Sequence, residues 1–169
     1  MKSLFIFLIL LLPAFIYSQS WEDVGGGNGN STHGLLTWDG KLVNLGSFNN
    51  TPCDRVATWD GTAWSCLAGG VGIVARAGVV WEGMLVIVGD FWNNFQPCVG
   101  CNGVAVWDGI SWTALGNGVN NDVLTCTVWN NELVIAGDFT EADGVPVARI
   151  IKWNGTDWES VGPIGSFDN

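Results

Sequence analysis

Cys98-Val-Gly-Cys101 is the one thiol pair in this chain set at metal-ligand spacing. Two thiolates supply only half of the four ligands a structural zinc takes, and nothing places His33, the sole histidine, beside them. A redox-active thiol would want a helix N-terminus to lower its pKa, and no helical pattern follows. A disulfide that staples its own loop is the better reading. The same loop carries Trp92, Asn93, Asn94 and Phe95, read here as ligand contacts, with Trp92 offering a flat indole face on which a sugar ring could stack. Glu141 and Asp143 bring two carboxylates to a second loop and mark where calcium would sit. A calcium site takes roughly 6 to 8 oxygens, so no cofactor is assigned.

Catalysis finds little to work with. No Ser-His-Asp set can be built around His33 from spacing. Paired carboxylates could hydrolyse glycosides, but only their presence supports it.

The elements that must position these residues are repeats. WDGTAW at Trp59 to Trp64, WDGISW at Trp107 to Trp112 and WNGTDW at Trp153 to Trp158 recur at 48 and 46 residues. Between them runs a second recurring element: WDGKLVNLGSF from Trp38, WEGMLVIVGDF from Trp81 and WNNELVIAGDF from Trp129. In the third copy, Val123 to Trp129 is β-branched and aromatic, Asn130-Asn131 turns the chain, and Leu133 to Gly137 is an apolar run. That is a hairpin. Ala148 to Trp153 and Asp157 to Val161 give a second hairpin about Asn154-Gly155. Asp39-Gly40, Asp60-Gly61, Glu82-Gly83 and Asp108-Gly109 hold the same places in the other copies, where both turn residues are expected at positive φ. Leu42 to Leu45, Leu85 to Val88 and Leu133 to Ala136 are nearly apolar throughout, as in strands covered on both faces. All the tryptophans except Trp92 sit at recurrent positions and are read as packing between strands and blades.

The expected fold is all-β: a β-propeller-like array of about three four-stranded antiparallel blades forming an incomplete ring. Blade 1 covers about 34–68, blade 2 about 74–116 and blade 3 about 122–162, within a propeller segment of 19–169. Trp21 to Gly25 matches the fourth strands, so 21–25 is expected as an outer strand with no inner strands of its own. Three blades fall below the usual ~4 of a closed ring. Further blades, from a longer chain continuing past Asn169 or from a second copy, are expected to complete it, with the longer chain preferred because its last blade would accept the Trp21 strand.

With Leu-Val-Ile-Ala-Gly-Asp-Phe at 133 to 139, a strand ending in Trp153 and another opening at Trp158, the repeat resembles the kelch and galactose-oxidase type of propeller. It looks closest to a variant common in large secreted bacterial proteins. The second strand ends in Gly-Asp or Gly-Ser where kelch usually has two glycines. The resemblance covers nearly all of 19–169 and implies fold more than ligand. The chemistry of galactose oxidase and of sialidases relies on tyrosine, and Tyr17 is the only one.

Tyr17 falls within residues 1–18, which read as a signal peptide: Lys2, the apolar stretch Leu4 to Ile16, then Ser18 before a cut. The apolar stretch is shorter than the ~20 residues of a spanning helix, so no membrane insertion is expected after its removal. Export places the chain outside the cell or on its surface, where disulfides persist. Cys53 and Cys66 flank the first blade's second hairpin and could bridge, while Cys126 replaces an inner-strand apolar residue as a buried thiol. A net charge of −10, more negative still without Lys2, makes nucleic acid and anionic membranes poor partners. The function expected is a non-catalytic binding or adhesion module for a glycan or surface protein, its specificity set by loops at Asn49 to Asp54, Trp92 to Gly103 and Thr140 to Pro146. The alternative is the propeller domain of an exported enzyme whose catalytic residues lie outside this chain.

Overall fold

The computed structural model describes residues 31–50, 53–67, 74–91 and 98–162, of which Asn49 and Asn50 are described in their backbone alone. Residues 1–18, with the expected signal peptide, and the strand expected at 21–25 lie outside them. The described chain is all-β, built of three four-stranded antiparallel sheets. The first takes β1 (Thr32–Trp38), β2 (Lys41–Asn50), β3 (Cys53–Trp59) and β4 (Trp64–Cys66). The second takes β5 (Ala75–Trp81), β6 (Met84–Gly89), β7 (Val104–Trp107) and β8 (Trp112–Thr113). The third takes β9 (Val123–Trp129) and β10 (Glu132–Gly137), then, after a small hairpin of β11 (Glu141–Ala142) and β12 (Val145–Pro146), β13 (Ile150–Trp153) and β14 (Trp158–Ser160). Within each four-stranded sheet the strands lie side by side in chain order, β10 pairing with β13 across the small hairpin. β1 lies against β5 and β5 against β9, so the sheets stand side by side as blades of an open, propeller-like array.

Register repeats with the sequence. Leu42 pairs with Trp59 and Trp59 with Trp64; Leu85, Trp107 and Trp112 form the same row, as do Leu133, Trp153 and Trp158. In each row the two indoles meet at 5.5, 5.1 and 5.1 Å between centroids, tilted by 48°, 51° and 62°. Such pairs add about 0.5–1.5 kcal/mol to the area they bury.

Burial explains the unbroken apolar runs. Leu85 and Ile87 join a core shared with Val43, Leu45 and Val56 of the first sheet, while Val86 and Val88 join one shared with Leu133, Ile135 and Ile151 of the third. The β6 side chains from Leu85 to Val88 are all fully buried because both faces of the middle sheet are covered. Each such burial is worth roughly 1.5–3 kcal/mol.

The recurrent glycine is a matter of space. A Cβ on Gly46, Gly89 or Gly137 would lie 2.1, 2.0 or 2.2 Å from the carbonyl oxygens of Ser31, Val74 and Asp122. The next residue's N–H donates to that same oxygen, Ser47 at 3.0, Asp90 at 3.1 and Asp138 at 2.9 Å. The phenylalanine that follows, Phe48, Phe91 or Phe139, is fully buried. The Gly-(Ser/Asp)-Phe triplet therefore ends the second strand with a close approach, a hydrogen bond and a core anchor.

The turns are of two kinds, where the sequence leads one to expect a single kind. In the inner hairpins Asp39-Gly40, Glu82-Gly83 and Asn130-Asn131 both residues have positive φ, at 50 and 69°, 51 and 80°, and 51 and 65°. In the outer hairpins only Gly61, Gly109 and Gly155 do. The preceding residue caps the loop instead: Asp60 Oδ1 accepts from the Thr62 and Ala63 N–H, Asp108 Oδ1 from Ile110 and Ser111, and Asn154 Oδ1 from Thr156 and Asp157. Asp or Asn is needed there for its side-chain oxygen, not for tolerance of positive φ.

Candidate functional site

Because strand direction alternates, the loops joining second to third strands and the links between sheets all emerge at one end of the array. The hairpin turns occupy the other. Of the expected ligand contacts, Trp92, Asn93, Asn94 and Phe95 lie outside the described residues. Their loop is described from Cys98 onward, where Cys98 and Cys101 form a disulfide. Both half-cystines are buried in the core between the first and second sheets. A second disulfide joins Cys53 to Cys66, tying the start of β3 to the end of β4.

The far end of the stapled loop is held by the link between the second and third sheets. Asn102 O accepts from the Val119 N–H at 2.9 Å, and Asn102 Nδ2 donates to Asn117 O at 2.8 Å. Gly118 makes this approach possible, since a Cβ there would lie 2.1 Å from Asn102 O. The same link grips the β11–β12 hairpin on its other side. Asn120 Oδ1 accepts from the Thr140 N–H at 2.9 Å and the Glu141 N–H at 3.1 Å, while its Nδ2 donates to Thr140 Oγ1 at 3.1 Å. Asp143, itself at φ 51°, donates its N–H to Gly118 O at 3.0 Å, and its carboxylate accepts from the Asn117 N–H. Residues 117–120 thus form a strap that fixes two loops at a set separation.

Between those loops lies a cleft of about 260 Å³, lined by Asn102, Asn117, Asn120, Glu141 and Asp143, with Gly118, Val119 and Gly144 in its walls. The expected loop Thr140 to Pro146 contributes Glu141 and Asp143. Sequence reasoning missed Asn102 and the strap residues Asn117 and Asn120. The signal for them is Asn-Gly-Val-Asn-Asn at 117 to 121, a run rich in amides between the second and third blades.

The cleft offers amide donors and acceptors and carboxylate oxygens, with no nucleophile paired to a base. His33 is engaged elsewhere, its Nδ1 lying 3.2 Å from Ala75 O. Asp143 spends its carboxylate on the strap, and among the described residues no three His, Cys, Asp or Glu side chains converge on one point. Cys126, on β9, is the free thiol of the described chain, and burial pushes its pKa up to about 12. At neutral pH the free thiol is therefore almost wholly protonated, the unreactive form.

In sequence the chain matches no known protein family and no curated protein. Its functional reading therefore rests on the arrangement of the loops themselves.

Proposed function

We propose that this chain is an exported, non-catalytic binding or adhesion module, its blades of kelch-like type serving as a rigid stand for loops that recognise a glycan or a surface protein. The observation that carries the reading is the strap at 117–120, which presets the distance between two second-to-third-strand loops and leaves a polar cleft between them. Preorganised loops on a rigid scaffold bind with less loss of conformational entropy. Amides and a carboxylate facing solvent suit a polyhydroxylated ligand, because sugar hydroxyls both donate and accept. Two disulfides accord with an oxidising, extracellular setting.

A glycan array probed with the purified protein tests this. Binding should fall at least tenfold in Glu141→Ala, whose side chain is exposed, and in Trp92→Ala if the loop at 92–97 shares the ligand. Absence of signal on glycans and on candidate surface proteins alike would remove the reading.

A further inference from the structure

The sheets are latched to one another by a repeating contact. Trp38 Nε1 donates to Gly83 O at 3.0 Å, and Trp81 Nε1 donates to Asn131 O at 2.9 Å. Gly83 and Asn131 are each the second residue of the following sheet's first turn. Trp129 is next in this series. Among the described residues no further turn meets it, and it stands 57% exposed. The turn that would receive such an indole, Asp39-Gly40, belongs to the first sheet.

The faces at the two ends of the array correspond in the same way. Register places Leu35, Leu42, Asn44, Trp59 and Trp64 on one side of the first sheet. The counterparts of Leu42, Asn44, Trp59 and Trp64 in the third sheet, Leu133, Ile135, Trp153 and Trp158, are buried against the second sheet. In the first sheet Leu35 is 61% exposed. On the third sheet, Trp129, Glu132, Val134 and Lys152 share the opposite face. Their counterparts in the second sheet, Trp81, Met84, Val86 and Val106, belong to the core that holds Ile135.

At two of these positions the end faces turn polar together. Lys152 stands where Val106 does, its Nζ 2.9 and 3.0 Å from the Glu132 carboxylate oxygens and 3.5 Å from Glu159. Asn44 stands where Ile135 does; it is 5% exposed, and its buried Oδ1 has no hydrogen-bond partner.

We infer that a second copy of this chain docks its first sheet on the exposed face of the third, Trp129 reaching the partner's first turn, and that two copies close into a six-bladed ring through two such contacts. Six lies within the usual range of about 4–8 blades. Each copy gives one face and receives the other, so the contact is head-to-tail, and ring closure limits it to two copies.

Sedimentation velocity on the purified chain, from about 1 to 100 µM, reads this directly. The wild type should run at twice the mass of one chain. Trp129→Lys and Leu35→Glu, both at exposed positions, should each run as monomers with unchanged thermal melts, and Trp129→Phe should weaken association about tenfold. Mixing the two charged variants should restore a species of two chains, because one of its two contacts is then entirely wild type. A wild type that stays monomeric, a dimer that survives both charged variants, sensitivity to only one of them, or growth beyond two copies would each overturn the ring.

Discussion

Asp122 O lies 2.2 Å from the point where any side chain on Gly137 would place its Cβ, and the same oxygen accepts the Asp138 N–H at 2.9 Å. Close approach and hydrogen bond are inseparable: the chain comes near enough for the bond only because residue 137 has no side chain. Gly137→Ala should lower the urea-unfolding free energy by about 1–3 kcal/mol, the usual cost of forcing atoms into filled space. Gly155→Ala, where no atom lies within 4 Å, should be disfavoured only by its φ of 103°. Equal losses at the two sites would count against crowding as the cause.

The Asp60 carboxylate accepts from the Ala63 N–H, the Thr62 hydroxyl and the Thr62 N–H, and these bonds lower its pKa to about 2. A folded-state pKa below the unfolded value of about 3.9 means that this carboxylate favours folding above that value and loses its contribution as pH falls toward 2. Asp60→Asn keeps the cap, as Asn154 does in the third sheet, but removes the titration. Its melting temperature should match wild type near pH 7 and fall less steeply between pH 5 and 2. A parallel acid limb in the two proteins would show that this cap does not titrate with folding.

The two disulfides should differ in weight. Cys53 and Cys66 are separated by 13 residues and Cys98 and Cys101 by 3. On the loop-entropy argument, replacing the first pair by serine should cost about 3 kcal/mol, and the second pair markedly less. If the proposed binding function holds, the second replacement should instead show itself in ligand binding, since that staple closes a loop beside the cleft. Chemical denaturation of both double variants, read beside the glycan array, separates the effects.

Cys126 should resist alkylation. With its pKa raised to about 12 by burial, the thiol is almost wholly protonated at pH 8, and the thiolate is the reactive form. Iodoacetamide should label it only once the protein is unfolded. Rapid labelling of the native chain at pH 8 would mean that β9 opens far more readily than its packing suggests.

Much of the architecture was legible because its causes are local. The strands follow from apolar and β-branched runs between turn residues, and the paired tryptophans fall in one row because a two-strand hairpin with a fixed loop length sets register. The division of turns into two kinds was not legible, since Asp39 and Asp60 precede glycine alike, yet one supplies a backbone conformation and the other a side-chain acceptor.

The sequence by itself determined that this chain makes repeated four-stranded antiparallel units whose second strands each end at a recurrent glycine. Only the tertiary structure decided why that residue must be glycine, which side of each sheet meets its neighbour, and that 117–120 straps two loops into one cleft. The reason is range. A strand's alternation and a turn's chemistry are written within a few residues, whereas the carbonyl of Asp122 reaches Gly137, and Asn120 reaches Thr140, only after distant segments have been brought side by side.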